Sequence, residues 1–440
     1  MDLRKALRLA PDAQMAIVGA GGKTTAMFQI ARAFGTPVVI AASTHLGVWQ
    51  AKFADRHLIV THPDDIEGST GQIEGVTLIS GPAGEDDRLG GLDAEMLDAL
   101  HRLARRLGFP LLIEADGARQ KPLKAPAEHE PAIPEWVDLV VVTAGLSAIG
   151  KPLDESNVHR PEQFARLSGL AAGAEISLDS LVKVLVHPEG GCKGIPDGAR
   201  RIVLLNQAED AALADAAGQS ARRLIPPYDA VVVASLAEQR IIRVVEPVSA
   251  VILAAGGSTR FGQPKITLPW RGKPLVRIAA EAALGGGADE VVVVTGSAEG
   301  PVRAALEGLA VRIVHNPDWE AGQSTTVRAG LTAAAPEAGA AIFLLSDQPF
   351  ITSELIRALI NQHQLTLAPV IAPVIGGRRA NPVLFDRETF AALGELEGDT
   401  GGRAIFHAFP VEALAWEDEA VLLDIDTPED YRRLMEEDGS

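Results

Sequence analysis

Cysteine is almost absent from this sequence of 440 residues, in which Cys192 is the only one. An intramolecular disulfide is therefore impossible, and a metal site built on several cysteines is excluded. No apolar run approaches the ~20 residues that a membrane-spanning helix needs, and the opening segment lacks the pattern of a secretory signal. We therefore expect a cytoplasmic protein without a membrane partner.

Aromatic and basic residues are also scarce. Aromatic residues make up 4% of the chain, and 40 lysines and arginines face 58 aspartates and glutamates, which gives a formal net charge of −18. Such a surface repels the backbone of a nucleic acid, so a nucleic-acid partner is excluded. The phosphates of a small ligand would have to be met by local basic residues and metal ions. The low aromatic content favours alternating strands and helices over an aromatic binding platform.

The length of the chain predicts roughly two to three domains, and the hydrophobic fraction of 47% is enough for each to bury a core. Residues 15–18 and 248–253 both look like first strands that lead into a glycine loop. We place the boundary in residues 240–247 and predict two three-layer α/β domains, residues 1–245 and 246–440. Further strands are predicted at residues 290–295, 311–314, 341–346, 369–374 and 421–424. Ligands of such doubly wound sheets bind at the carboxyl ends of the strands.

Residues 251–265 carry the strongest chemical signal in the chain. Three apolar residues are followed by Gly256 and Gly257, and then by Arg260 and Lys265. Glycines let backbone N–H groups approach phosphate oxygens closely, and two cations can neutralise a triphosphate. The alternative is an exposed turn that is rich in glycine and basic residues for no functional reason.

Acidic residues follow two predicted strands of the second domain. Asp347 comes two residues after the apolar run 341–345 and is a candidate Mg²⁺ ligand, because Mg²⁺ prefers oxygen ligands and usually takes one or two protein carboxylates. Asp426 is the candidate second ligand. Equally, Asp426 could simply precede a helix at residues 428–435, with Thr427 as its N-cap.

Residues 251–265 resemble the signature of the molybdenum cofactor nucleotidyltransferases, a MobA-like NTP transferase family with a Rossmann-like fold and a mostly parallel sheet. Residues 253–256 read LAAG and residues 263–265 read QPK, whereas the guanylyl branch has LAGG and an aspartate–lysine pair, so the resemblance favours CTP. Similar segments extend over most of residues 248–430. Ala380 stands where the family has glycine, and Gly402 where alanine is usual.

This resemblance implies the transfer of CMP from CTP to the phosphate of molybdopterin, which gives the cytosine dinucleotide cofactor and pyrophosphate. The implied site has catalytic Lys265, Arg260 and Asp347, nucleotide contacts at Ala255, Gly256, Gly257, Gln323 and Ser324, a pterin contact at Asn381, and Mg²⁺ on Asp347 and Asp426. An apo molybdenum hydroxylase or its chaperone would receive the product. Two other functions stay open: a sugar or polyol nucleotidyltransferase, and a non-enzymatic carrier of finished cofactor that uses the first domain as a nucleotide switch.

The first domain has its own glycine loop. Residues 17–25 read IVGAGGKTT, in which Gly22, Lys23 and Thr24 open a helix and can cradle a phosphate, so a P-loop-like domain with a second NTP is predicted. Ile17 stands where the full Walker pattern has glycine, and the shortened loop is similar to that of the Mur ligases. An ordinary glycine-rich helix start is the alternative. Glu114 and Asp116 end an apolar strand, and we expect them to alternate in direction, so that only one of them faces the nucleotide.

Most of residues 13–235 resemble the selenium cofactor biosynthesis accessory family linked to molybdenum hydroxylases. The segments that carry this resemblance include residues 121–126, 159–162 and 187–191. Residues 206–210 read NQAED, which is faintly similar to a guanine-reading motif. Four histidines, His45, His129, His159 and His187, could bind metal but more often are hydrogen-bonding loop residues. The resemblance names this domain and leaves its reaction open.

Overall fold

The computed structural model describes residues 1–35, 37–84, 87–257 and 261–437. The chain divides into two compact units, Met1–Val245 and Glu246–Ser440. Both are α/β structures whose sheets are mostly parallel. None of the helices within the described residues combines the length and the apolar composition needed to cross a bilayer.

The N-terminal unit is built on a sheet in which the described residues form nine strands. Only the edge strand Arg240–Val245 runs antiparallel to its neighbour, and the other pairs are parallel. In sheet order the strands are Arg240–Val245, Ala230–Ser235, Arg200–Asn206, Leu139–Gly145, Gln14–Gly19, Leu111–Glu114, Val38–Ala42, Val76–Ser80 and Arg56–Ile59. The α-helices are Leu3–Ala6, Lys23–Ala33, Pro63–Gly68, Ala94–Leu107, Pro161–Ser168, Leu178–Val186 and Ala211–Ala221.

The C-terminal unit has a second, mixed sheet. In sheet order its strands are Arg312–His315, Glu290–Thr295, Val248–Ala254, Ala340–Leu345, Val383–Asp386, Val370–Ile375 and Arg378–Arg379, with Val411–Ala415 paired to Val370–Ile375. Val383–Asp386 runs antiparallel to both of its neighbours. The α-helices are Leu275–Gly286, Glu299–Ala305, Gln323–Ala333, Ser353–Thr366, Phe390–Gly394 and Pro428–Glu437.

Helices cover both faces of the C-terminal sheet. Along Val248–Ala254, Ala250 and Ile252 belong to one core cluster and Val251 to another. Successive side chains of a strand point to opposite faces, so the two clusters lie on opposite sides of the sheet. In the N-terminal unit, consecutive residues of the central strand Gln14–Gly19, such as Ala16 and Ile17, are fully buried, so this sheet too is covered on both faces. Strands buried on both faces explain why the sequence reads as continuous apolar runs there.

The structure confirms the predicted strand at residues 290–295 and shifts three others by one residue. The prediction of a strand at residues 421–424 is wrong. A 3₁₀ helix, Glu419–Leu422, occupies this region, because the Asp418 side chain accepts a hydrogen bond from Ala420 N–H and starts a turn. Beyond this turn, Ile425 N–H donates a hydrogen bond to Asp347 O at 3.1 Å.

Candidate functional site

Lys265, Asp347 and Asp426 meet at the carboxyl edge of the C-terminal sheet. Lys265 Nζ lies 2.6 Å from Asp347 Oδ2 and 3.2 Å from Asp426 Oδ1. It also donates a hydrogen bond to Ile425 O at 3.0 Å. Burial alone would lower the pKa of Lys265, but the charges and hydrogen bonds of Asp347 and Asp426 outweigh burial and raise it. The lysine is therefore held as a cation between two carboxylates.

Local sequence explains how these three residues arrive together. Asp347 follows the apolar strand Ala340–Leu345, and Lys265 begins the 3₁₀ helix Lys265–Thr267. Asp426 precedes the helix Pro428–Glu437, whose start is fixed by a reciprocal pair: Thr427 Oγ1 accepts from Asp430 N–H, and Thr427 N–H donates to Asp430 Oδ2. Thr427 is thus the helix cap, and Asp426 remains available to Lys265.

The carboxylate oxygens at this edge fit a divalent cation. Asp347 Oδ1 is buried and has no hydrogen-bond partner among the described residues. Burial, followed by the charges of Asp426 and Asp347, raises the pKa of nearby Asp424. A cation would satisfy the first oxygen and relieve the repulsion among the acids. The described residues contain no cluster of three or more His, Cys, Asp or Glu arranged as a metal cage, so substrate oxygens would have to complete the coordination.

Gln348, directly after Asp347, and Asp424, two residues before Asp426, line a cavity of about 420 Å³. Gln323, at the start of the helix Gln323–Ala333, and Asn381 also line it. Ser324 is fully buried, and its hydroxyl has no hydrogen-bond partner among the described residues. The glycine pair is exposed after the strand Val248–Ala254, where Gly256 O accepts a hydrogen bond from Ser297 Oγ. Arg260 lies outside the described residues.

Sequence reasoning missed several residues that line the same cavity. Gln348 follows Asp347 directly, and its buried Oε1 has no hydrogen-bond partner among the described residues. Three arginines also lie in the lining: Arg378, Arg379 and Arg403. The adjacent arginine pair after a double glycine was the available signal. These cations suit an anionic acceptor.

The packing around Gly402 explains why glycine stands where the family usually has alanine. A Cβ atom placed on Gly402 would lie 2.5 Å from Phe385 Cζ. Phe385 is buried at 2% exposure in the core of the sheet, so its ring has little room to retreat. Glycine at this position therefore fits the packing of Phe385 at the cavity wall.

The N-terminal unit has a second group of charged residues around its glycine loop. Lys23 is buried, and its Nζ lies 2.5 Å from Asp116 Oδ1 and 3.5 Å from Glu114 Oε1. Burial lowers the pKa of Lys23, but the charges of Asp116 and Glu114 outweigh it and the pKa is raised. The pKa of Glu114 is also raised, and burial of its carboxyl group is the largest cause. Lys23 therefore stays charged inside this unit.

The expectation that Glu114 and Asp116 differ in their direction needs correction. Both carboxyl groups reach Lys23, because residues two positions apart on an extended chain share a face. Only Glu114 also lines a cavity of about 580 Å³, together with Gly22, Lys23 and Thr24.

Asn206 is the first residue of the segment that is faintly similar to a guanine-reading motif. Its side chain does not line this cavity and contacts the backbone instead. Asn206 Nδ2 donates to Gly21 O at 2.7 Å, and Asn206 Oδ1 accepts from Leu236 N–H at 3.0 Å. Asn206 thus positions the glycine loop. Of the four histidines considered as metal ligands, His45 lines the cavity. His187 Nδ1 accepts from Glu189 N–H, which is the role of a loop residue.

Comparisons with known proteins match the two units separately. Residues 250–414 match the model of the MobA-like NTP transferase domain, and residues 15–162 match that of the YqeC protein family. An uncharacterized protein YqeC of Escherichia coli is 35% identical over 44% of this chain and 75% of its own length. Two further relatives match about as much of the chain: the nicotine blue oxidoreductase of Paenarthrobacter nicotinovorans and a molybdenum cofactor cytidylyltransferase of Escherichia coli.

The nicotine blue oxidoreductase is 34% identical over 42% of this chain and 95% of its own length. The molybdenum cofactor cytidylyltransferase is 27% identical over 41% of this chain and 92% of its own length. The two family models fall in the two units that the fold separates. The chain therefore belongs to the YqeC family through its N-terminal unit and to the MobA-like NTP transferase family, a family of nucleotidyltransferases, through its C-terminal unit.

Proposed function

We propose that the C-terminal unit transfers CMP from CTP to the terminal phosphate of molybdopterin, for the maturation of molybdenum hydroxylases. The observation that carries the proposal is the position of Lys265, held between Asp347 and Asp426 at the carboxyl edge of the sheet beside a cavity of about 420 Å³. The family assignment supports nucleotidyl transfer, and the cytidylyltransferase relative supports this choice of substrates.

In this reaction the protein positions the two substrates and stabilises the negative charge of the phosphates. An oxygen of the acceptor phosphate attacks the α-phosphorus of CTP in line, a new P–O bond forms, and the bond from the α-phosphorus to the bridging oxygen breaks. Pyrophosphate leaves with the electron pair of that bond. A phosphate dianion is already a nucleophile, so no general base is needed. Lys265 stabilises the negative charge that spreads over the phosphates.

Asp347 and Asp426 would hold Mg²⁺, which supplies further neutralisation of the phosphate charge. The unpartnered Asp347 Oδ1 is the protein oxygen best placed for this role. In the ligand-free arrangement Lys265 occupies the space between the two carboxylates. We propose that it turns toward the triphosphate when the carboxylates gain the cation.

We assign the remaining residues by the family resemblance and by their chemistry. Gln323, Ser324, Ala255, Gly256, Gly257 and Arg260 would contact the nucleotide. Asn381 and the three arginines Arg378, Arg379 and Arg403 face the pterin and its phosphate. The product would pass in the cytoplasm to an apo molybdenum hydroxylase or its chaperone.

Pyrophosphate release from the purified protein tests this function. The protein is incubated with Mg²⁺, each of the four nucleoside triphosphates, and either molybdopterin or simple sugar phosphates. Release from CTP that depends on molybdopterin supports the proposal. Release with a sugar phosphate would instead identify a sugar nucleotidyltransferase, and tight binding of the finished cofactor without any release would identify a carrier.

A further inference from the structure

The largest cavity described above belongs to the N-terminal unit, and the transfer reaction makes no use of it. Its volume is about 580 Å³, and it lies over the first turn of the helix Lys23–Ala33, at the carboxyl edge of the sheet. Its walls bring together the glycine loop, the acid Glu114, the aromatic Trp49 and the basic residues Arg119 and Lys121. This combination of groups matches the chemistry of a nucleotide.

The glycine loop is shaped to keep its backbone open toward the cavity. Gly22 has φ +119°, and a Cβ atom there would lie 2.4 Å from Asn206 Nδ2. Asn206 in turn binds Gly21 O and so fixes the loop. The first N–H groups of a helix have no partner within the helix, and they carry its partial positive charge. The loop and the helix start therefore form a cradle for an anion.

Two oxygen ligands for a cation lie at the edge of this cradle. Thr24 Oγ1 lies 3.3 Å from Glu114 Oε2, and both residues line the cavity. The hydroxyl oxygens of Ser43 and Thr44, which immediately precede cavity-lining His45, are buried and have no hydrogen-bond partner among the described residues. A hydroxyl and a carboxylate beside a phosphate cradle are the ligands that Mg²⁺ takes with a nucleotide.

Lys23 can leave its present position without leaving the Asp116 carboxylate unpaired. Asp116 Oδ2 also accepts hydrogen bonds from Lys124 Nζ at 2.7 Å and from Gly19 N–H at 3.0 Å. These contacts would continue to compensate the buried carboxylate if Lys23 turned toward a ligand. Uncompensated buried charges are costly, so this second set of contacts is what makes such an exchange feasible.

The lining of the cavity also includes an aromatic ring, that of Trp49. Trp49 is 49% exposed, which is unusual for a large hydrophobic residue. Its indole meets the Phe53 ring edge-on at 5.9 Å, and Phe53 packs on Phe28, so the ring is supported from behind. A supported, exposed ring at a cavity wall is suited to stack on a planar base.

We propose that the N-terminal unit binds a magnesium complex of a nucleoside triphosphate in this cavity, with its base on Trp49 and its phosphates over residues 21–24. On binding, Lys23 would leave Glu114 and Asp116 and contact the oxygens of the terminal phosphates of the nucleotide. Thr24 and Glu114 hold the cation. This is a second nucleotide site, separate in its residues from the one that takes CTP.

Photoaffinity labelling of the full chain tests the second site. The probes are 8-azido-ATP and 8-azido-GTP with Mg²⁺, and the labelled peptides are mapped by mass spectrometry. At least one probe should label peptides of residues 1–245, and the unmodified triphosphate should compete. Trp49→Ala should reduce this labelling by about tenfold, since it removes a base–aromatic stack. Ile59→Ala, which removes another exposed apolar side chain of the same unit, should leave it unchanged.

A second variant tests the cation. Thr24→Ala should remove most of the increase in triphosphate affinity that Mg²⁺ gives to this site, measured as protection of the same peptides. Circular dichroism confirms that each variant is folded. Labelling confined to residues 246–440, or labelling of the N-terminal unit that Trp49→Ala leaves unchanged, would overturn the proposal. Pyrophosphate release is assayed in parallel, so a failure here is distinguishable from a failure of the transfer function.

Discussion

At the scale of single residues, Lys265 is the group on which the proposed transfer depends most. It is the cation that the structure places among Asp347, Asp426 and the nearby Asp424. It neutralises these carboxylates in the structure, and we propose that it turns to the phosphates when a nucleotide binds. The same side chain can therefore serve both states of the site.

Lys265→Ala should lower the rate of pyrophosphate release by ~10²- to 10³-fold, because it removes a donor that stabilises developing charge. The rate is measured with saturating CTP and molybdopterin. Arg432→Ala is the matched control: Arg432 is 65% exposed and pairs with Glu429, so this variant loses a surface cation and should keep its rate. Near-normal turnover by Lys265→Ala would refute the assigned role.

A second prediction at the residue scale concerns the pKa of Glu130 in the N-terminal unit. Burial raises the pKa of Glu130, but hydrogen bonds and charges from Arg160 and Lys124 outweigh burial and lower it to about 2. A lowered pKa in the folded state stabilises the fold above the ordinary value of 4.5, and this stabilisation is lost as the pH falls through about 2.

Glu130→Gln should therefore reduce the free energy of unfolding at pH 7 by about 3 kcal/mol, because it leaves Lys124 and Arg160 without their shared partner. Urea unfolding measures the loss. The difference from the native protein should shrink as the pH falls from 4.5, where Glu130 of the unfolded chain takes up a proton, to about 2, where folded Glu130 does so as well. Glu128→Gln, an exposed neighbour, should change the free energy by less than about 0.5 kcal/mol. An equal loss in both variants would contradict the account.

At the scale of elements, apolar runs predicted the central strands well, since these strands are buried on both faces. The strand Glu290–Thr295 was predicted at its observed bounds, whereas Val383–Asp386 and Val411–Ala415 were missed. Each of the missed strands pairs with a segment that is distant in the sequence, and its own pattern does not reveal that pairing. Long-range pairing is the information that local patterns lack.

The candidate sites show the same limit. The carboxyl end of a strand was enough to find Asp347, because ligand-facing residues of such sheets lie there. Asp424 and Gln348 were not found, since their positions depend on how the segment after Leu422 crosses the sheet edge. In the N-terminal unit the glycine loop was found from its residues. The partners of Lys23 followed only from the three-dimensional contacts of Glu114 and Asp116.

The turn before the helix Lys23–Ala33 gives an element-scale prediction. Gly22→Ala should destabilise the loop, because a Cβ atom at φ +119° would lie 2.4 Å from Asn206 Nδ2. Gly108→Ala is the matched control, since Gly108 also has a positive φ of +71° but nothing within 4 Å of the added atom. Both variants incur left-handed backbone strain of about 1 kcal/mol. Urea unfolding should show a larger loss for Gly22→Ala, and equal losses would contradict the steric reason.

At the scale of the whole molecule, the chain joins two units that each have their own sheet and core. We propose that each also has its own nucleotide site. The net charge of −18 makes local basic residues important in both, because a phosphate ligand otherwise meets a negative surface.

Residues 246–440 expressed alone should fold and release pyrophosphate within about threefold of the rate of the full chain, because a unit with its own core folds independently. The same assay with CTP, Mg²⁺ and molybdopterin measures the rate. A folded but inactive fragment would show that the transfer site needs the N-terminal unit.

The central claim is the transfer of a nucleotidyl group by the site around Lys265, and the fate of the α-phosphate of CTP tests it most directly. The full chain is incubated with molybdopterin, Mg²⁺ and CTP radiolabelled at the α-phosphate, and the products are separated. The account predicts that the label appears in a pterin dinucleotide and that Lys265→Ala slows the formation of this product by ~10²- to 10³-fold. Label that stays in CTP or appears only as free CMP, with native protein and molybdopterin present, would contradict it.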